Sequence, residues 1–123
     1  MIGIVRSDSE ALTVNELGCL LVVLAGLDDH EAQQRLVDQV QEIVVTSRPP
    51  MHTELSVSSG ALKTSLPDGP LDARATAFDA NGLPTGFVSV WLSGGLLSSM
   101  SFGWVTDEMP DDFPPADTLR VDA

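Results

Sequence analysis

The chain has little cysteine, little basic charge and no long apolar run, and each shortage removes a class of function. Cys19 is the sole cysteine among 123 residues, so neither an intramolecular disulfide nor a thiolate metal cluster can form. A reducing, cytoplasmic setting suits such a chain. Lys and Arg number 6 against 18 Asp and Glu, a formal net charge of −12. That charge repels phosphate backbones and anionic bilayer surfaces, which argues against direct nucleic-acid or membrane binding. The longest apolar stretch, Leu17 to Leu27, is about half of the roughly twenty residues that a bilayer-spanning helix requires. Met1 to Asp8 shows no basic region followed by an apolar run and a small-residue cleavage site, so no secretory signal is expected.

Catalytic and cofactor motifs are missing as well. His30 and His52 stand far apart and outside any paired-ligand spacing such as His-Glu-x-x-His, so they read as surface residues. Cys19 lies among Leu17, Leu20, Leu21 and Val22, a setting that predicts a buried, unreactive thiol. No serine sits in a Gly-x-Ser-x-Gly elbow, and Ser98, Ser99 and Ser101 look like the polar side of a strand. Gly94-Gly95 has the form of a hairpin turn, and no glycine pattern suited to cradling phosphate is present. No catalytic residue, metal ligand or cofactor is assigned.

What the chain does contain specifies a fold. A length of 123 residues with 43% hydrophobic residues supports one core, hence a single domain over 1–123. The ends, about 1–10 and 106–123, are expected to be loosely structured or to wrap the surface. Thr13 with Glu16 three residues on, before an apolar run, predicts a first helix over 14–25, with Gly26 at its stop. Cys19 to Leu24 is apolar nearly all round, which places that helix in the core or partly under a second subunit. Asp28 and Glu31 repeat the capping spacing and predict a second helix over about 30–41. Its apolar face would carry Ala32, Leu36, Val37 and Val40, continuing to Ile43 and Val44, with Gln33, Gln34, Asp38, Gln39 and Gln41 opposite.

Beyond Arg48-Pro49-Pro50 the apolar period changes to two, after β-branched Ile43 to Thr46 has already favoured extended chain. Leu55 and Val57 mark one strand, 60–71 reads as a loop, and Ala73 to Phe78 is the next strand. Asn81-Gly82 and Gly94-Gly95 close turns around Phe87 to Leu92 and Leu97 to Val105. Met100, Phe102 and Trp104 share one face of the last strand, while Val88, Val90 and Leu92 compete with Phe87 and Trp91 for the core. The fold class is α+β: two N-terminal helices packed on one face of a four- or five-stranded antiparallel sheet, with a short extended piece at Leu119 to Val121.

A binding surface is suggested in the tail. Asp107, Glu108, Asp111 and Asp112 are interleaved with Met109 and Pro110 and flanked by Trp104 and Phe113, aromatic anchors for a basic protein partner. Calcium coordination is disfavoured by the absence of EF-hand spacing.

The run Gly86-Phe87-Val88-Ser89-Val90-Trp91-Leu92-Ser93-Gly94-Gly95-Leu96, followed by Phe102-Gly103-Trp104-Val105-Thr106-Asp107-Glu108-Met109-Pro110, resembles a group of small proteins of high-GC Gram-positive bacteria with no assigned activity. The resemblance covers about 73–121. Similar two-helix-then-meander proteins include presumed antitoxins and immunity proteins, an analogy of architecture that implies no catalytic residue to carry over. The charge of −12, the acidic tail and the missing chemistry point to a non-enzymatic interaction protein, with an immunity-type inhibitor of a basic partner as one form of it. Two further readings are a homodimer hiding Trp91 or part of the first helix, and a small-ligand binder or enzyme with a pocket between helices and sheet that uses His30 or His52.

Overall fold

A computed structural model describes residues 11–58 and 60–121. The expectation for the first ten residues lies outside them. Thr13 is extended; its hydroxyl accepts the Glu16 N–H (3.1 Å) while Glu16 Oε1 accepts the Thr13 N–H (2.8 Å), and this reciprocal box starts α1, Val14–Ala25. The helix stops at Gly26 with an ordinary right-handed φ of −84°. A Cβ there would stand 2.3 Å from Val121 Cγ1, so the glycine answers a close approach of the C-terminal strand.

The second helix, α2, spans His30–Val40. Its cap falls one residue later than the Asp28 spacing suggests, because Asp29 Oδ1 accepts the Ala32 N–H at 3.0 Å. Its buried stripe is Ala32, Leu36 and Gln39, with Ile43 just beyond, while Val37 is exposed. The predicted stripe is therefore rotated. Gln39 is tolerated inside because every polar atom of its amide finds a backbone partner: Nε2 donates to Leu62 O (2.9 Å) and Gly95 O (3.1 Å), and Oε1 accepts the Leu97 N–H (2.9 Å).

Seven strands follow: β1 Val44–Ser47, β2 His52–Ser56, β3 Gly69–Pro70, β4 Ala75–Phe78, β5 Pro84–Ser93, β6 Leu96–Trp104 and β7 Leu119–Val121. They run β1-β2-β6-β5-β4-β7, every pairing antiparallel, with β3 beside β5 off that path. The expected meander is β4-β5-β6. The sheet exceeds four or five strands because two-residue β3 lies inside the segment read as a loop, and because the tail piece β7 pairs with β4.

The face toward the helices carries Val88 opposite Phe102 and Val90 opposite Met100, beside fully buried Ala75 and Ala77. Those two alanines leave room for α1 against β4, and Leu20, Val23, Leu24 and Leu36 complete the core. Phe87 and Trp91 take the opposite face, which resolves the competition within β5. The β5–β6 turn has Gly94 at φ +59° and Gly95 at φ +78°, the pair of positive values that matches strand twist in a two-residue hairpin. The tip is held from outside: Asp68 Oδ1 accepts the Gly94 N–H (2.8 Å), and Gly95 O accepts the Thr64 N–H (3.0 Å).

Candidate functional site

The only strongly buried ionised group among the described residues is Glu16, whose side chain is 3% exposed. Arg48 grips it two-handed, Nε to Oε2 at 3.1 Å and Nη2 to Oε1 at 2.9 Å, and Thr53 Oγ1 donates to Oε2 at 2.6 Å. Burial pushes the Glu16 carboxyl up. Hydrogen bonds from Arg48, the Thr13 N–H and Thr53, with the attraction of the Arg48 charge, outweigh burial and hold it below its ordinary 4.5. Arg48 also donates to Ala11 O, so the cluster ties α1 to β2 and to the chain before α1. With both carboxylate oxygens of Glu16 satisfied, this cluster is a structural device.

Cys19 is fully buried, and its thiol donates to Pro114 O at 3.2 Å. Burial, then the negative charges of Asp112 and Glu16, pushes the thiol up to about 12. At about pH 8 the folded protein should react with a thiol reagent at least about a thousandfold more slowly than the urea-unfolded chain. Equal rates, followed by released thiolate absorbance, would show an accessible site.

The candidate binding residues of the tail divide into two groups. Trp104 is 39% exposed, and beyond it Val105, Asp107, Glu108, Met109 and Asp111 face solvent. Asp107, Glu108 and Asp111 form no ion pair among the described residues. The lobe is nonetheless tethered, since Val105 N–H donates to Thr85 O (2.9 Å) and Thr106 Oγ1 to Glu108 O (2.9 Å). Phe113 differs from its expected role: at 4% exposure it belongs to the core and pins the tail against α1. Asp112 is engaged beside it, with Oδ2 accepting from Asn15 Nδ2 at 3.1 Å and Oδ1 accepting the Phe113 N–H at 2.7 Å.

A second region escaped sequence reasoning. Between the α1–α2 turn and segment 66–73 lies a cleft of about 320 Å³, walled by Leu27, Leu66, Pro67, Pro70, Leu71 and Ala73. Asp28, Asp29 and Asp72 stand at it, and among the described residues no basic side chain does. Among the described residues no three His, Cys, Asp or Glu side chains are grouped so as to hold a metal ion. The only hint of this region in the sequence was its proline content, which reads simply as loop.

The histidines lie elsewhere. His30 is exposed at the start of α2; His52 Nε2 meets Glu54 Oε1 at 2.8 Å on the outer sheet face, beside Ser99 and Ser101. Neither lines the cleft. Ser98 sits where the β5–β6 register shifts, while Ser99 and Ser101 share the outer face with Trp91 and Ser89. Outer-face Phe87 and Phe78 are each stacked by an arginine, Arg74 at 5.0 Å and Arg120 at 5.1 Å. Among the described residues no helix is long and apolar enough to cross a membrane. Comparison with family models, curated proteins and solved structures finds no match for this chain.

Proposed function

We propose that the protein is a non-enzymatic interaction protein that presents its acidic C-terminal lobe to a basic protein partner, as an immunity-type inhibitor would. One observation carries this reading: Asp107, Glu108 and Asp111 face solvent without cationic partners among the described residues, interleaved along the chain with exposed Val105 and Met109 and following half-exposed Trp104. Apolar and aromatic groups supply contact energy, and a ring of acids selects a basic partner and speeds encounter. Because Phe113 and the Val105–Thr85 bond hold the lobe in place, little ordering entropy is lost on binding. The net charge of −12 adds long-range attraction for the same class of partner.

The test pairs two baits, the wild type and the triple variant Asp107→Asn, Glu108→Gln, Asp111→Asn, against lysate of the source organism at low salt. Strongly basic proteins should be enriched by the wild type and lost both with the variant and at about 0.5 M salt, where the screening length drops below about 5 Å. Recovery of the same proteins by both baits would remove the lobe from the binding surface.

A further inference from the structure

The cleft between the α1–α2 turn and segment 66–73 has a one-sided chemistry. Its walls are aliphatic: Leu27, Leu66 and Leu71, with the two prolines, enclose a volume in the range of small-ligand sites. Among the described residues no lining side chain is a hydrogen-bond donor. Pro67 and Pro70 have no N–H, and the N–H groups of Gly26, Leu27 and Leu71 are already given to Val23 O, Leu24 O and Val90 O. Among the described residues every ionisable side chain at the cleft is a carboxylate, hence acceptor-only, and no Lys, Arg or His lines it. The start of α2 also borders the cleft, but Asp29 already caps it through the Ala32 N–H, so its positive end is answered and does not invite an anion.

A ligand that fits these walls must therefore bring its own donors and positive charge, together with an apolar body. We infer that this cleft binds a small organic cation, a primary ammonium on a phenyl-sized or short alkyl body, with the body against Leu27, Leu66 and Leu71 and the ammonium between Asp28 and Asp72. The site is separate from the acidic lobe. Asn15 at the first turn of α1 bonds Asp112, whereas Gly26 at the far end of that helix lines the cleft.

The probes are 2-phenylethylammonium, neutral 2-phenylethanol and anionic phenylacetate, titrated into the full chain labelled for amide NMR. Saturable shifts are expected at Leu27, Leu71 and Ala73, with the ammonium at least about tenfold tighter than the alcohol and the carboxylate weaker still. Asp28→Asn with Asp72→Asn should weaken the ammonium about tenfold and leave the alcohol unchanged, since both residues are exposed and neither holds the fold. Neutralising Asp107, Glu108 and Asp111 should change ammonium binding less than about twofold, which keeps this site distinguishable from the lobe. Equal affinity for alcohol and ammonium, shifts centred on 105–112, or no saturable shift up to about 10 mM, which is weaker than about millimolar affinity, would each overturn the inference.

Discussion

Arg48→Leu is expected to lower folding stability by about 3 kcal/mol at neutral pH, because it leaves the Glu16 carboxylate buried without a cation. The value sits at the low end for a broken buried pair, since the Arg48 side chain keeps 29% of its exposure and part of its charge was already served by water. Urea denaturation gives the loss directly, and the melting temperature should fall on the order of 10–15 °C for a domain of this size. The pH dependence identifies the cause. Glu16 has a folded value below its ordinary 4.5, so its contribution is fully present above that value and is lost as pH falls through the lower, folded value. In Arg48→Leu the main influences holding the carboxyl down are gone, and burial pushes it up instead. The stability gap between the two proteins should therefore begin to shrink above pH 4.5, as the raised carboxyl of the variant takes up its proton, and go on shrinking as pH falls through the lowered value of the wild type. A gap of equal size at neutral and acidic pH would assign the loss to packing of the arginine stem.

Gln39→Leu should cost about 2–3 kcal/mol despite its similar volume and greater hydrophobicity. The substitution strips the buried Leu97 N–H of its acceptor and part-buried Leu62 O of a donor, whereas Gly95 O keeps the Thr64 N–H. Removing one partner of a buried hydrogen bond is what makes such a change costly. The damage should also be local, because Gln39 joins α2, the segment around Leu62 and the β5–β6 turn. Amide exchange in 60–66 and at Leu97 should speed up beyond what the global loss explains, and uniform acceleration across the sheet would count against a local clamp.

Both effects rest on polar side chains inside the protein, and these are the features least legible in the sequence. The Thr13–Glu16 spacing gave the start of α1 correctly, yet nothing local shows that Glu16 also receives Arg48 and Thr53 from the far side of a turn. Gln39 was placed with the polar face of α2 because periodicity sorts residues by type, and its burial depends on carbonyls supplied by segment 60–66 and the hairpin tip. Apolar alternation and turn chemistry were sufficient for β4, β5 and β6, where Gly82, Gly94 and Gly95 adopt the positive φ that their turns need. β3 was missed because Gly69-Pro70 has the composition of a loop and pairs through backbone alone. Of the candidate binding residues, Trp104, Asp107, Glu108 and Asp111 are solvent-facing, while Phe113 shows the limit of reading exposure from neighbours: acidic and proline residues around it drew it to the surface on paper, and α1 draws it into the core. The cleft needed two segments some forty residues apart in the chain to meet, and no pattern within either one announces the other.

The contacts of α1 have a consequence for how the chain is made. The first helix is made long before its lids: Pro114 O receives the Cys19 thiol across 95 positions, and β7 packs against the same helix end at Gly26. At about 5–20 residues per second a ribosome would leave α1 waiting roughly 5–20 s for those lids. Until β4 and β5 follow, Leu20, Val23 and Leu24 have no sheet to cover them, and α1 stays a greasy helix without its partners. Closure of the 113–121 segment over α1, after the strands it borders have been made, is then the step that completes the native topology.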